Sequence, residues 1–137
     1  MADTLKLEIV TPEAQTLSED VEMVTLPGIE GEMGVYPHHV PLMTQLAPGE
    51  IIVRKDGQDT FLAVGGGFVE VTGDHVAILT DMAIKADDID EAKAEEARRR
   101  AEARLAEKID DAEHAVLNAA LANALAQIHV KRRRLNR

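Results

Sequence analysis

The apolar residues change their spacing once along the chain, near residues 85–88, and that break limits the molecule to a β domain followed by helices. Upstream of it, Leu5, Leu7 and Ile9 alternate with Lys6 and Glu8, the period of a strand with one buried face. The same reasoning predicts strands over residues 21–26, 33–36, 42–46, 51–55, 60–64, 68–72 and 75–80. Asp56-Gly57 and Gly73-Asp74 stand between successive strands, and both pairs favour two-residue hairpin loops. Many short strands with frequent turn signals make a sandwich or a barrel. Its core must be aliphatic, because the chain has no tryptophan, one tyrosine and two phenylalanines.

Downstream the period becomes helical. Asp88 with Glu91 three residues later forms a capping-box arrangement, Asp replacing the usual Ser or Thr. Asp90 and Glu91 lie in the first turn and Arg104 and Lys108 near the end, as the helix dipole prefers. Glu95–Arg99 and Glu96–Arg100 are Glu-first pairs at i,i+4. Residues 109–111 interrupt the run, and Asp110 or Asp111 can cap a second helix reaching about Arg134. Two helices with a short joint form an antiparallel hairpin. The expected architecture is therefore α+β: a β-sandwich over residues 1–86, then a two-helix domain over residues 87–137. The hairpin's predicted interior is Ala92, Ala94, Ala97, Ala101 and Leu105 against Val116, Leu117, Ala120, Leu121, Ala124, Leu125 and Ile128. Alanine buries little, whereas a fully buried Leu is worth ~1.5–3 kcal/mol. A movable arm and a rigid appendage both fit that composition.

Charge and composition exclude several functions. Residues 1–86 hold four Lys/Arg against fourteen Asp/Glu and so carry the whole net charge of −10, while residues 87–137 hold eleven of each. An acidic β domain is a poor partner for nucleic acid, whose phosphates need clustered Lys and Arg. Cysteine is absent, which removes disulfides and thiolate sites and fits a reducing compartment. No leader and no apolar run near the ~20 residues of a membrane span is visible, so a cytoplasmic location is expected. Ser18 is the only serine, flanked by Glu19 and Asp20, and does not suit a nucleophile. Gly65-Gly66-Gly67 lacks the spaced third glycine and following helix of a dinucleotide loop. It reads as a kink or close backbone approach.

Residues 26–50 concentrate glycines and prolines between short apolar runs. Such punctuation means tight turns on a rigid sheet, where binding residues gather. Glu30, Glu32, Tyr36, His38 and His39 are the exposed candidates. A metal-dependent enzyme using Glu30, Glu32, His38 and His39 is one reading. Adjacent histidines in extended chain point to opposite sides, however, so no metal site is expected. The closing residues Lys131, Arg132, Arg133, Arg134, Leu135, Asn136 and Arg137 carry five positive charges. They suit either a solvated helix end or docking on an acidic partner.

The order Gly31-Glu32-Met33-Gly34-Val35-Tyr36-Pro37-His38-His39-Val40-Pro41-Leu42 resembles a segment of the epsilon-subunit family of the F-type ATP synthase. The segments Val64-Gly65-Gly66-Gly67-Phe68-Val69-Glu70-Val71, Ile78-Leu79-Thr80-Asp81-Met82-Ala83 and Ile89-Asp90-Glu91-Ala92-Lys93-Ala94 are similar to others of that family, as is Ala124-Leu125-Ala126-Gln127-Ile128-His129-Val130. The resemblance implies a flattened antiparallel sandwich of about ten strands followed by a helical hairpin. It also implies a non-catalytic rotor subunit of the proton-translocating complex, peripheral to the bacterial inner membrane, with no cofactor of its own. Its implied partners are the gamma subunit, the rotor-ring c subunits and the catalytic beta subunits. By the same resemblance Glu32 and His39 face the rotor ring. Arg98, Arg99, Arg100, Arg104, Lys131, Arg132, Arg133 and Arg134 would meet the catalytic subunits when the helices extend and inhibit ATP hydrolysis. The family's nucleotide-sensing form implies ATP contacts at Ile89, Asp90, Lys93 and Ala94. Lys93 stands where that form has arginine, and Asn123 and Gln127 stand in place of two more, so tight ATP binding is not expected. A free-standing ATP sensor of the same shape is the alternative reading.

Overall fold

The computed structural model describes residues 3–13 and 15–135. Ten strands come first: β1 (Leu5–Val10), β2 (Gln15–Val21), β3 (Met23–Gly28), β4 (Gly31–Val35), β5 (His39–Leu46), β6 (Gly49–Lys55), β7 (Gln58–Val64), β8 (Gly67–Gly73), β9 (His75–Thr80) and β10 (Ala83–Lys85). A 3-10 turn (Ala86–Asp88) then leads into α1 (Glu91–Leu105) and α2 (Asp111–Leu135).

The strands form one hydrogen-bonded path, β10-β7-β6-β3-β5-β8-β9-β1-β2, with β4 added on β3. β3 meets β5 only through Gly28 and Leu46. That narrow bridge lets the path fold into two layers that share one core. Leu5, Leu7, Ile9, Val24, Leu26, Ile51, Leu62, Val64, Val71 and Ile78 fill it, each no more than 1% exposed. The alternating pattern predicted Leu5, Leu7 and Ile9 of this set, and aliphatic burial supplies its stability at ~1.5–3 kcal/mol per large side chain.

The Asp56-Gly57 loop has φ 53 and 74, the paired left-handed conformation of a type I′ hairpin turn. At the glycine run, a Cβ on Gly67 would lie 1.8 Å from the Leu79 carbonyl oxygen, so two backbones do approach closely there. The buried Thr80 hydroxyl fixes the bend from the other side, 3.0 Å from the Gly65 carbonyl oxygen.

Sequence reasoning missed two strands. β2 escaped because Ser18, Glu19 and Asp20 mask the buried Leu17 and Val21, and the strand predicted from Val21 begins instead at Met23. β10 has only three residues. The sandwich is also not wholly antiparallel, since β1 pairs β9 in parallel. Those strands are distant in sequence, so no hairpin sets their relative direction.

The helix cap is Asp90 rather than Asp88: its carboxylate accepts the Lys93 amide at 3.1 Å. After the 3-10 turn the chain is extended again at Ile89, which is 4% exposed, and only beyond Asp90 does the α-helix begin. Asp110 caps α2 by accepting the Glu113 amide at 2.8 Å. The hairpin interior also differs from expectation. Val116 and Leu125 are 68% and 46% exposed, and Ala92, Ala97 and Ala120 are exposed as well. Ala126 and Val130, absent from the expected set, are buried. α2 serves two neighbours at once, so its buried residues form two i,i+4 stripes rather than one. Ala126 and Val130 pack with Ala63, Ala86 and Ile89, flanked by Phe61, Met82 and Ile84. The hairpin thus lies docked on β7 through a thin, alanine-rich seam.

Candidate functional site

Glu32 is exposed on β4, paired with Pro27 beside the β3–β4 turn. Exposed Ile29 and Glu30 share that tip. His39 opens β5 opposite Gly73 and is half-buried. The strand registers therefore separate the two residues expected to act together. Glu32 lies near the Gly28–Leu46 bridge, whereas His39 lies at the far end of β5. The structure carries them on neighbouring elements, one strand length apart. His39 donates from Nδ1 to the Val40 carbonyl at 2.6 Å. His38 instead faces Asp3 and Asp74 at 3.0 and 3.2 Å. Glu30, Glu32, His38 and His39 thus do not converge on any common point, and the metal-enzyme reading loses its donor set.

An apolar surface that alternation did not reveal lies on the outer face of β5, β8 and β9. Met43, Phe68 and Leu79 are 68%, 54% and 55% exposed. Phe68 pairs directly with Leu79, and Met43 pairs with Glu70 on the same outer side. The signal was present in the sequence: Phe68 and Leu79 fall out of phase with the inward Val69, Val71, Val76 and Ile78. Clustered exposed apolar side chains mark partner surfaces.

Most arginines of the hairpin are engaged within the chain. Arg98 binds Glu95 and Glu102 at 2.8 and 2.7 Å, Arg100 binds Glu96 at 3.3 Å, and Arg104 binds Glu113 at 2.7 Å as well as Glu107. Glu95 therefore pairs with Arg98 and not with Arg99 as expected. The hydrogen bond from Arg98 holds the Glu95 carboxyl below its ordinary range, assisted by the charges of Arg98, Arg132 and Arg99. Arg99 makes no ion pair among the described residues.

The closing run reaches across elements. Arg132 bridges Glu91 and Glu95 on α1 at 2.6 and 3.0 Å. Arg133 binds Glu50 on β6 at 2.6 Å, and Arg134 lies 3.7 Å from Asp87. Lys131 donates to the Ala86 carbonyl at 3.1 Å. Asn136 and Arg137 lie outside the described residues.

The nucleotide-contact candidates are occupied with structural work. Ile89 sits in the docking seam, Asp90 caps α1, Ala94 is buried between the helices, and Lys93 is exposed. Gln127 donates to the Met82 sulfur at 3.1 Å, and Asn123 stands beside Gly65. Gln127 thereby ties α2 to the sandwich, and Asn123 packs against it.

Two family profiles match the two structural units. One, "ATP synthase, Delta/Epsilon chain, beta-sandwich domain", covers residues 4–86. The other, "ATP synthase, Delta/Epsilon chain, long alpha-helix domain", covers residues 87–132. The chain belongs to the ATP synthase delta/epsilon family. It is 44% identical over 127 residues to an ATP synthase epsilon chain from Laribacter hongkongensis, covering 91% of each protein. A chain in the Euglena gracilis mitochondrial ATP synthase assembly of OSCP, F1 and c-ring superposes with TM-score 0.75 at 29% identity. That match covers 90% of this chain and 78% of the Euglena one. A chain in the central stalk and c-ring of the Tetrahymena thermophila mitochondrial ATP synthase shares the fold, with TM-score 0.66, 13% identity and coverage of 93% and 96%. As an epsilon-chain homologue, the delta/epsilon protein is a non-catalytic central-stalk subunit of the ATP synthase. No helix among its described residues is long and apolar enough to cross a membrane.

Proposed function

We propose that the sandwich of this subunit joins the gamma subunit to the rotor-ring c subunits, and that the helical hairpin restrains ATP hydrolysis by the catalytic beta subunits. The complex would hold it peripherally at the cytoplasmic face of the bacterial inner membrane. The outer apolar face of Met43, Phe68 and Leu79 supports a gamma contact, since burying those side chains is favourable without further ordering of the sheet. The Glu32 tip is the rotor-ring contact, where an exposed carboxylate can accept charge-assisted hydrogen bonds. His39, one strand length away at the start of β5, is the second member of that contact.

The observation that carries the regulatory reading is the set of ion pairs made by Arg132, Arg133 and Arg134. These arginines serve as internal clasps in the docked hairpin, so binding an acidic surface on the beta subunits requires their release. Docked and partner-bound states then compete for the same side chains. A tight ATP site has no support here: Lys93 faces solvent, and Asn123 and Gln127 face the sandwich. Near-full-length relatedness to epsilon chains favours the stalk subunit over a free-standing sensor.

Capture of purified gamma subunit by the wild type, by Phe68→Asp and by Glu32→Ala tests the surface assignment. The Phe68 change should weaken gamma capture at least tenfold, and Glu32→Ala should leave it intact. Equal capture by all three would overturn the assignment of the apolar face.

A further inference from the structure

The turn between β4 and β5 carries His38 with φ 68, a left-handed conformation that a residue with a Cβ adopts only when its surroundings hold it. Two other elements do the holding. Asp3, ahead of β1, lies 3.0 Å from Nε2, and Asp74, in the β8–β9 turn, lies 3.2 Å from Nδ1. The His38 amide also donates to Asp74 at 3.2 Å. The ring hydrogen-bonds Asp3 through Nε2, whereas Nδ1 meets Asp74 at ion-pair distance without a hydrogen bond of its own. A neutral imidazole protonated at Nε2 keeps the bond to Asp3 and turns a lone pair at Nδ1 toward the Asp74 anion. Only the imidazolium is attracted to both carboxylates.

We propose that His38 is a proton-operated clamp that pins the β4–β5 turn to the N-terminal segment and to the β8–β9 turn. Proton uptake engages both jaws, and proton loss weakens the Asp74 one to the backbone amide alone. The remaining charged neighbours do not replace it. Arg54 and Glu22 line the same depression, but Arg54 is held by Asp59 at 3.0 Å and Glu22 accepts the Gly57 amide at 2.9 Å. His39 is turned to the Val40 carbonyl, and His75, next to Asp74, is turned to Glu8 at 3.2 Å. Lys6 approaches through its backbone, its amide donating to the Asp74 carbonyl at 2.7 Å.

The hydrogen bond to Asp3 and the charges of Asp74 and Asp3 raise the His38 ring above its ordinary value. The sign follows from linkage. A group raised in the folded state contributes fully below its ordinary value, and the contribution is lost as pH rises through the folded value. The turn is therefore ordered in mild acid and loosened at higher pH. The clamp is independent of the functional reading above.

Amide hydrogen exchange on the labelled full-length chain, corrected for intrinsic rates, tests the clamp between pH about 6 and about 8.5. Ring titration of His38 is followed in the same samples. Protection at His38 and His39 should fall several-fold as the His38 ring loses its proton. His38→Gly keeps the φ and should abolish the pH dependence, and Asp74→Asn should lower the ring midpoint. A wild type and His38→Gly with the same pH profile would overturn the proposal. So would a His38 ring titrating at or below its ordinary value, which needs no variant to fold.

Discussion

Arg133, in the last turns of α2, donates to Glu50 on β6 across 2.6 Å and 83 positions of sequence. The Glu50 side chain is only 7% exposed, whereas Arg133 keeps 46% of its surface in solvent. The pair thus joins a half-free arm to a fixed strand. Replacing Arg133 by Ala should loosen docking by about 1 kcal/mol, above the typical exposed pair because one partner is nearly buried. Protease susceptibility and hydrogen exchange of α2 would read this. The sandwich amides should stay unchanged, and equal exchange in α2 would remove Arg133 from the clasp.

At Gly67 the obstacle to a side chain is backbone. The Leu79 carbonyl oxygen would stand 1.8 Å from a new Cβ. Gly67→Ala should therefore cost the sandwich about 3 kcal/mol, toward the upper end of single substitutions. At Gly66 the first contact is at 3.6 Å, so Gly66→Ala serves as the mild control. Thermal unfolding of the two variants compares them directly.

The hairpin's pH response has a definite sign. Arg98 lowers the Glu95 carboxyl chiefly through its hydrogen bond, and Arg132 adds its charge from α2. A depressed carboxyl contributes stability above its ordinary range and loses it as pH falls through the folded value. Contacts between α1 and α2 should accordingly weaken below pH about 4. A distance label placed across the hairpin should report separation in acid, and Glu95→Gln should blunt that change.

The sandwich core draws all its members from residues 5–83, so a chain ending at residue 86 should fold alone. The same truncation exposes Phe61, Ala63, Met82 and Ile84, which the hairpin covers. The fragment should keep its β circular dichroism and bind apolar dyes more strongly than the full chain. Loss of β structure would place the domain boundary elsewhere.

These tests also mark what could be read from the sequence. Alternation located the inward Leu5, Leu7 and Ile9 of β1, because one buried face enforces a period of two, and the turn signals marked out β6, β7, β8 and β9 as strands. Asp56-Gly57 announced its turn because two left-handed residues in succession need such a pair. The outer apolar face stayed hidden because a strand pattern treats the solvent side as neutral. The separation of Glu32 from His39 was hidden for another reason: seven positions along the chain say nothing of which end of a strand each occupies. The clasp around Arg132 and Arg133 was beyond reach, since its carboxylates lie 41 and 83 positions away. Charge composition showed balanced signs in the helical domain but not who pairs with whom.

The central claim is that the arginines clasping the docked hairpin are the same ones that restrain the catalytic subunits when released. ATP hydrolysis by matched complexes, carrying either the full chain or a chain ending at residue 86, tests it most directly. The truncated complex should hydrolyse ATP faster at low salt. Because surface charge is screened over ~8–10 Å at ordinary ionic strength, the difference should narrow as salt rises. Equal rates for the two complexes at every salt concentration would contradict the account and leave the hairpin a structural element alone.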